Sequence, residues 1–440
     1  MEKTMHKSKI ITAREAVSFV KSNDQIVSGL GCSEARNFLS VLHEIADDVT
    51  NVHLNNCLPM ADLPYMDAAY KDSFFVNGWF YSPAMRKMHR NGNASFIPNH
   101  LHRASIHRLA AIRPNIFIGV CTPPDEHGYV SLSTGNTYER RMIDVADLVI
   151  LEMNEKFPRT YGDVELHISQ VDYFIEADYD VPELPNIEPS EKDKVIGQLI
   201  ASQIEDGDSI QVGIGGIPNA VVNALYDKRN LGVHTEMLTS EIAKLAMAGV
   251  INGAKKTLHR GKMVTTFIMG DKTLYDFCHE NPSVLVLDGH YVNKPSVIAQ
   301  NDNQVSINTT LEIDLTGQCA SESIGHIQYS GTGGQVDTAR GAVDAKNGKS
   351  FIALYSTAMV RNRETGEREE KSKIVSQLTP GAVVTLTRSE TDRVVTEYGI
   401  AELRGQTVDE RVKRLIAIAH PAYREQLHYD AKKFGILGGH

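Results

Sequence analysis

Gly213-Ile214-Gly215-Gly216-Ile217-Pro218 is followed shortly by His234-Thr235-Glu236-Met237. A glycine turn after an apolar strand presents backbone N–H groups to whatever lies against it. A carboxylate near such a turn can attack a carbonyl whose oxygen those N–H groups hold. Together they are the minimal equipment for acyl transfer through a glutamyl intermediate. His234 and Thr235 read as residues that position the turn rather than as reacting groups.

The elements needed to hold these residues occur twice. Asp24 and Asp208, Gly29 and Gly213, and Gly31 and Gly215 are each 184 residues apart. Each copy reads as a helix (Ala16, Val17, Phe19, Val20; Val195, Ile196, Leu199, Ile200), a polar turn, a buried strand and a glycine turn. A second helix follows, Phe38 to Ile45 or Ala220 to Leu225. An internal duplication is the simplest source of this match. Three prolines between Val181 and Pro189 disfavour helix and central strand, and place a domain boundary there. The expected domains are 1–185 and 186–440, the second carrying Glu236.

Further strands are expected at Ile116–Val120, Leu148–Glu152, Val284–Leu287, Phe351–Tyr355 and Ala382–Leu386. Short apolar runs alternating with helical stretches predict an α/β chain of two similar open parallel-sheet domains. The charged stretch Arg361–Ser372 reads as an exposed loop between strands, a solvated hairpin tip rather than a lid over a ligand.

Composition narrows the function. The chain has 440 residues, 42% hydrophobic and 23% charged, with a net charge of −10. That balance argues against a nucleic-acid coat protein but leaves an anionic ligand open. No apolar run approaches the roughly 20 residues that span a bilayer, and the polar start lacks a signal-peptide core. The five cysteines (Cys32, Cys57, Cys121, Cys278, Cys319) have no CxxC spacing, so they read as buried free thiols in a reducing cytosol. A dinucleotide fold is the other reading of the glycine turn, but Pro218 stands where GxGxxG needs its third glycine. Gly348-Lys349-Ser350 hints at a phosphate loop, yet Val343 stands where its first glycine belongs.

The C-terminal half adds Tyr291-Val292-Asn293-Lys294-Pro295, Ser306-Ile307-Asn308, Leu311-Glu312-Ile313-Asp314-Leu315 and Tyr329-Ser330-Gly331-Thr332-Gly333-Gly334-Gln335. Lys373-Ile374-Val375, Val395-Thr396-Glu397-Tyr398-Gly399 and Ala419-His420-Pro421 follow. The N-terminal half contributes Pro123-Pro124-Asp125-Glu126-His127-Gly128 and Asn154-Glu155-Lys156-Phe157-Pro158-Arg159. In this order, over nearly the whole chain, these motifs resemble the acetyl-CoA hydrolase/transferase family, and within it the 4-hydroxybutyrate and butyryl-CoA:acetate CoA-transferase group. One departure is Gly29-Leu30-Gly31-Cys32-Ser33-Glu34-Ala35, where relatives commonly have a proline near Ala35. It weakens a ligand role for the first glycine turn.

The resemblance implies that Glu236 is the nucleophile of a ping-pong CoA transfer through a glutamyl-CoA thioester. No metal and no permanently bound cofactor are needed, because coenzyme A arrives as the substrate thioester. The strand end Gln211-Val212 and the turn Gly213, Ile214, Gly215, Gly216, Ile217 are implied to meet the oxyanion and CoA. Asn293, Asn308, Leu311, Gly331, Gly333, Gly334 and Lys373 are implied to line the CoA channel, and Glu397 is a second candidate catalytic carboxylate. Structural readings stand beside each: a tight turn, a buried ion pair for Glu397, a surface lysine, an ordinary glycine loop, a core leucine.

The basic cluster Lys255, Lys256, His259, Arg260 and Lys262 suits the CoA phosphates, or a solvated helix face. Trp79 suits an acyl pocket or plain core. The expected partners are an acyl-CoA and a short-chain acid (acetate, butyrate or 4-hydroxybutyrate), in a cytoplasmic homo-oligomer without nucleic acid or membrane. An acyl-CoA hydrolase, a non-catalytic CoA-ligand-binding protein and a nucleotide-dependent dehydrogenase remain alternatives.

Overall fold

The computed structural model describes residues 7–185, 187–361 and 366–438. Its contacts divide the chain into two compact units. The first comprises Met1–Pro185, Thr235–Ala243 and Lys262–Lys294; the second comprises Asn186–His234, Lys244–Gly261 and Pro295–His440. Glu236 and Asn293 therefore pack with the first unit, and the turn at Gly213 with the second.

The first unit is built on seven parallel strands: β1 (Gln25–Ser28), β2 (Val52–Cys57), β3 (Phe74–Phe80), β4 (Ala94–Phe96), β5 (Ile116–Cys121), β6 (Leu148–Asn154) and β7 (Tyr173–Ala177). They lie in the order β7-β6-β5-β1-β2-β3-β4. β5 is buried at every position, which is why it reads as a continuous apolar run rather than an alternating one. Ile26, Leu54, Phe74 and Val76 from the sheet pack with Phe38, Leu39 and Leu42 into one core.

The second unit carries β8 (Ser209–Val212), β9 (Gly232–His234), β10 (Gln304–Thr309), β11 (Lys349–Ala353), β12 (Arg393–Thr396) and β13 (Gly399–Glu402). Their order is β13-β12-β11-β10-β8-β9, parallel except for the β12–β13 hairpin. The duplicated strands hold the same place: β1 lies between β2 and β5, as β8 lies between β9 and β10. These are two α/β regions with parallel sheets, consistent with an internal duplication. The helices after the glycine turns span Arg36–Val41 and Gly216–Asn223.

Two expectations fail. Ala382–Leu386 forms no strand beyond a single bridge from Leu386 to Cys319. Val383 and Val384 are exposed there, so the run lacks the buried face its apolarity suggested. The charged segment after Arg361 belongs to a hairpin, as its favoured reading has it, with the loop shorter than expected: Arg368–Ser372 pairs antiparallel with Thr357–Arg361, and residues 362–365 lie outside the described residues. The basic cluster does not form a helix face. It lies in a run of turns, and Lys256 within it is buried and donates to the Val233 carbonyl at 2.7 Å.

All five cysteines are buried and unbridged. Among the described residues no helix is long and apolar enough to cross a membrane, and no group of three or more His, Cys, Asp or Glu could hold a metal ion.

Candidate active site

Glu236 sits on a bend between β9 and the short strand Met237–Leu238. Its own carbonyl receives three donors: the Thr266 N–H at 3.0 Å, the Phe267 N–H at 3.1 Å and the Thr265 hydroxyl at 3.0 Å. Thr235 is fixed on either side, its N–H to the Val264 carbonyl at 2.9 Å and its hydroxyl to the Met237 carbonyl at 3.0 Å. Parallel pairing of Met237 with Phe267 and Leu238 with Ile268 continues the same ladder. The backbone that carries the carboxylate is thus pinned on both sides.

The Glu236 carboxylate is itself held. Asn293 Nδ2 donates to Glu236 Oε2 at 2.8 Å. Asn293 follows the short helix Gly289–Val292, which is capped by Asp288 through the His290 N–H. Gly289 presses against the Thr137 backbone so closely that a Cβ would collide with the Thr137 carbonyl. Val292 packs with Val264 and Leu287. Asn293 is 1% exposed, and its Oδ1 has no hydrogen-bond partner among the described residues. Burial, with the Glu236 and Glu139 carboxylates nearby, pushes the Cys57 thiol well above its ordinary range, so it stays protonated. Trp79 is buried against Tyr138, ring centroids 4.8 Å apart.

In the second unit the glycine turn has separate duties for its glycines. Gly215 has φ +117°, a conformation that favours glycine. Gly216 faces the helix Glu191–Ala201, where a Cβ would come within 2.5 Å of Asp193 Oδ2. At Gly213 a Cβ would meet no described atom within 4 Å, so this glycine is not demanded by packing. Ile217 is buried and Ile214 is exposed. Gln211 is buried on β8 beside Val212 and ties to β10: Oε1 accepts from the Ser306 hydroxyl at 2.9 Å. Asn308 donates to the Ser306 and Thr338 hydroxyls, both at 3.0 Å.

The Leu311 N–H binds the Ala320 carbonyl at 3.1 Å. Gly331, Gly333 and Gly334 lead into the helix Gln335–Asp344, with Gly334 at its N-cap and Gly333 at φ +53°.

Glu397 and Lys373 are linked through Ser356. The Ser356 N–H and hydroxyl donate to the Glu397 carboxylate at 2.9 and 2.8 Å, and the Lys373 N–H donates to the Ser356 carbonyl at 2.8 Å. Lys192 completes an ion pair with Glu397 at 3.2 Å. Burial would raise the Glu397 carboxyl, but the Ser356 donors and Lys192 outweigh it, and the group is held below the ordinary carboxylate value. Burial lowers the Lys373 ammonium, opposed by Glu312.

Sequence reasoning brought out Glu236 and Asn293 and missed the residues that fix them. Thr265, Thr266 and Phe267 carry no motif of their own, and neither do Ser356 and Lys192. Their contacts are long-range, and no local spacing marks them.

Models of the acetyl-CoA hydrolase/transferase N-terminal and C-terminal domains match residues 1–185 and 270–431. The chain is 40% identical over 430 residues to 4-hydroxybutyrate coenzyme A transferase of Clostridium kluyveri, covering 98% of both. It is 41% identical over 435 residues to succinyl-CoA:cyclohexane-1-carboxylate CoA transferase of Geobacter metallireducens, covering 97% of this chain and 96% of that one. The crystal structure of 4-hydroxybutyrate CoA-transferase from Porphyromonas gingivalis superposes with a TM-score of 0.82 at 32% identity, over 99% of this chain and 100% of that one. With both domain models matched and likeness running through nearly its whole length, the chain belongs to the acetyl-CoA hydrolase/transferase family.

Proposed function

We propose that this chain is a short-chain acyl-CoA:carboxylate CoA-transferase with Glu236 as its nucleophile. The observation that carries the reading is the Glu236 carboxylate, on a backbone pinned by three donors and oriented by Asn293. The transferase names of its relatives support the same reaction class.

A Glu236 oxygen attacks the thioester carbonyl, the C–S bond breaks, and CoA leaves as thiolate, with an acyl-glutamyl anhydride formed on Glu236. The thiolate attacks the glutamyl carbonyl, expelling the first carboxylate and leaving glutamyl-CoA. The incoming carboxylate attacks that thioester, and the released thiolate then takes the new acyl group and frees Glu236. Proton and electron counts close at each turn, so no redox partner enters.

The backbone N–H groups of Ile214 to Ile217, after Gln211 and Val212, are assigned to the developing oxyanion, where one donor is worth about 2.7–4 kcal/mol. Asn308, Leu311, Gly331, Gly333, Gly334 and Lys373 are assigned to CoA, and Glu397 to orienting the acid. Acetate, butyrate and 4-hydroxybutyrate are the proposed acids, and a homo-oligomer the proposed assembly.

The test is an acceptor panel with butyryl-CoA and acetyl-CoA. The reading predicts new acyl-CoA formed only when an acid is supplied. Free thiol released at the same rate without acid would make the enzyme a hydrolase and overturn it.

A further inference from the structure

Leu30 and Ile214 stand 184 residues apart, each directly after the first glycine of its corner. Their surroundings differ. Ile214 is 47% exposed, and Gly213 before it has open space where a Cβ would point. Leu30 is 3% exposed, and its N–H donates to Glu139 Oε1 at 2.8 Å. The other oxygen, Oε2, takes the Tyr138 N–H at 2.8 Å. Glu139 is 2% exposed. A buried carboxylate is costly unless donors replace its water, and here backbone donors from two distant segments do so.

The enclosure is tight. A Cβ on Gly135 would stand 3.4 Å from Glu139 Oε1 and 3.3 Å from Ser33 Oγ, and one on Gly29 would strike the Ser33 carbonyl. Ser33 Oγ pairs with Thr134 Oγ1 at 2.8 Å, and the Tyr138 hydroxyl donates to the Ser28 carbonyl at the end of β1 at 2.9 Å. Loop and corner are thus joined around the carboxylate.

We propose that the first glycine corner is a carboxylate-binding site whose ligand is built in: the Glu139 side chain fills the place a free carboxylic acid would take. The duplicated corner is kept as a folding element and closed to substrate.

Formate, the smallest carboxylate, is the probe. Thermal unfolding is compared in sodium formate and in sodium chloride of equal ionic strength, for wild type, Glu139→Ala and Glu139→Gln. Truncation to alanine opens the site, so formate raises the Tm of Glu139→Ala by about 2–4 °C more than it raises wild type. Glu139→Gln keeps the space filled and shows no such excess. If Glu139→Ala does not fold in chloride, recovery of soluble protein on refolding in formate supports the proposal, and failure in both salts overturns it. Equal formate shifts in wild type and Glu139→Ala, or in the alanine and glutamine variants, also overturn it. The readout is stability, so a negative result leaves the transferase reading untouched.

Discussion

Asn293 grips Glu236 through a 2.8 Å hydrogen bond from its side-chain amide, although 57 residues separate them. A hydrogen bond to a charged group is worth about 1.5–3 kcal/mol. Asn293→Ala should therefore lower kcat roughly 10–100-fold, with a smaller change in KM for the acyl-CoA. Asn293→Asp places a like charge beside Glu236, which disfavours its ionised form. The acidic limb of the kcat profile should move to higher pH, and steady-state kinetics across pH read both effects.

The glycine turn allows a contrast. Gly216→Ala forces a Cβ to within 2.5 Å of Asp193 Oδ2, an atom tied into the Ser190 cap of its helix. Stability should fall by about 1–3 kcal/mol. Gly213→Ala enters open space and should leave stability within about 0.5 kcal/mol of wild type, while obstructing the CoA thioester and reducing kcat/KM. Urea titrations and kinetics on the two variants separate packing from ligand contact.

Glu397 is held below its ordinary range by Ser356 and Lys192. A carboxylate with a depressed folded-state pKa stabilises the fold above its unfolded value, and that stabilisation is lost as pH falls through the folded one. Glu397→Gln should therefore be less stable than wild type near neutral pH. The difference should shrink below about pH 4.5. Urea midpoints measured from pH 7 downward would show it.

Lys256 is the opposite case. Burial pushes its ammonium down to about 7, whereas the unfolded chain titrates near ~10.4. Between those values unfolding takes up a proton, so stability rises with pH; below both, the penalty for burying the charge is complete. Lys256→Met should remove a slope of about 1 kcal/mol per pH unit between pH 8 and 10, seen by comparing denaturant midpoints.

The architecture was legible where local pattern decides it. Buried parallel strands are largely apolar runs, so Ile116–Val120 and Leu148–Glu152 stand out, within strands that run on to Cys121 and Asn154, and the repeated Asp–strand–Gly signature locates β1 and β8. The same criterion fails at Ala382–Leu386, because β-branched residues also occur in exposed connections. Lys256 misleads for a related reason: a lysine in a basic cluster reads as solvated, and only the fold shows its ammonium on the Val233 carbonyl. At the site, the resemblance singles out Glu236 and Asn293 separately, and the structure joins them by a hydrogen bond. The pinning by Thr265, Thr266 and Phe267, the Ser356 bridge and the Glu139 carboxylate on Leu30 were not legible, since each joins segments whose proximity is set by sheet order rather than by spacing along the chain.

The most direct test of Glu236 as nucleophile is peptide mass spectrometry after incubation with acyl-CoA in the absence of acceptor acid, with and without borohydride. A CoA thioester on the peptide carrying Glu236, converted by borohydride to the alcohol and missing from Glu236→Gln, is the predicted result. An enzyme that still exchanges CoA at the wild-type rate after Glu236→Gln, or a CoA adduct carried on another residue, would contradict it.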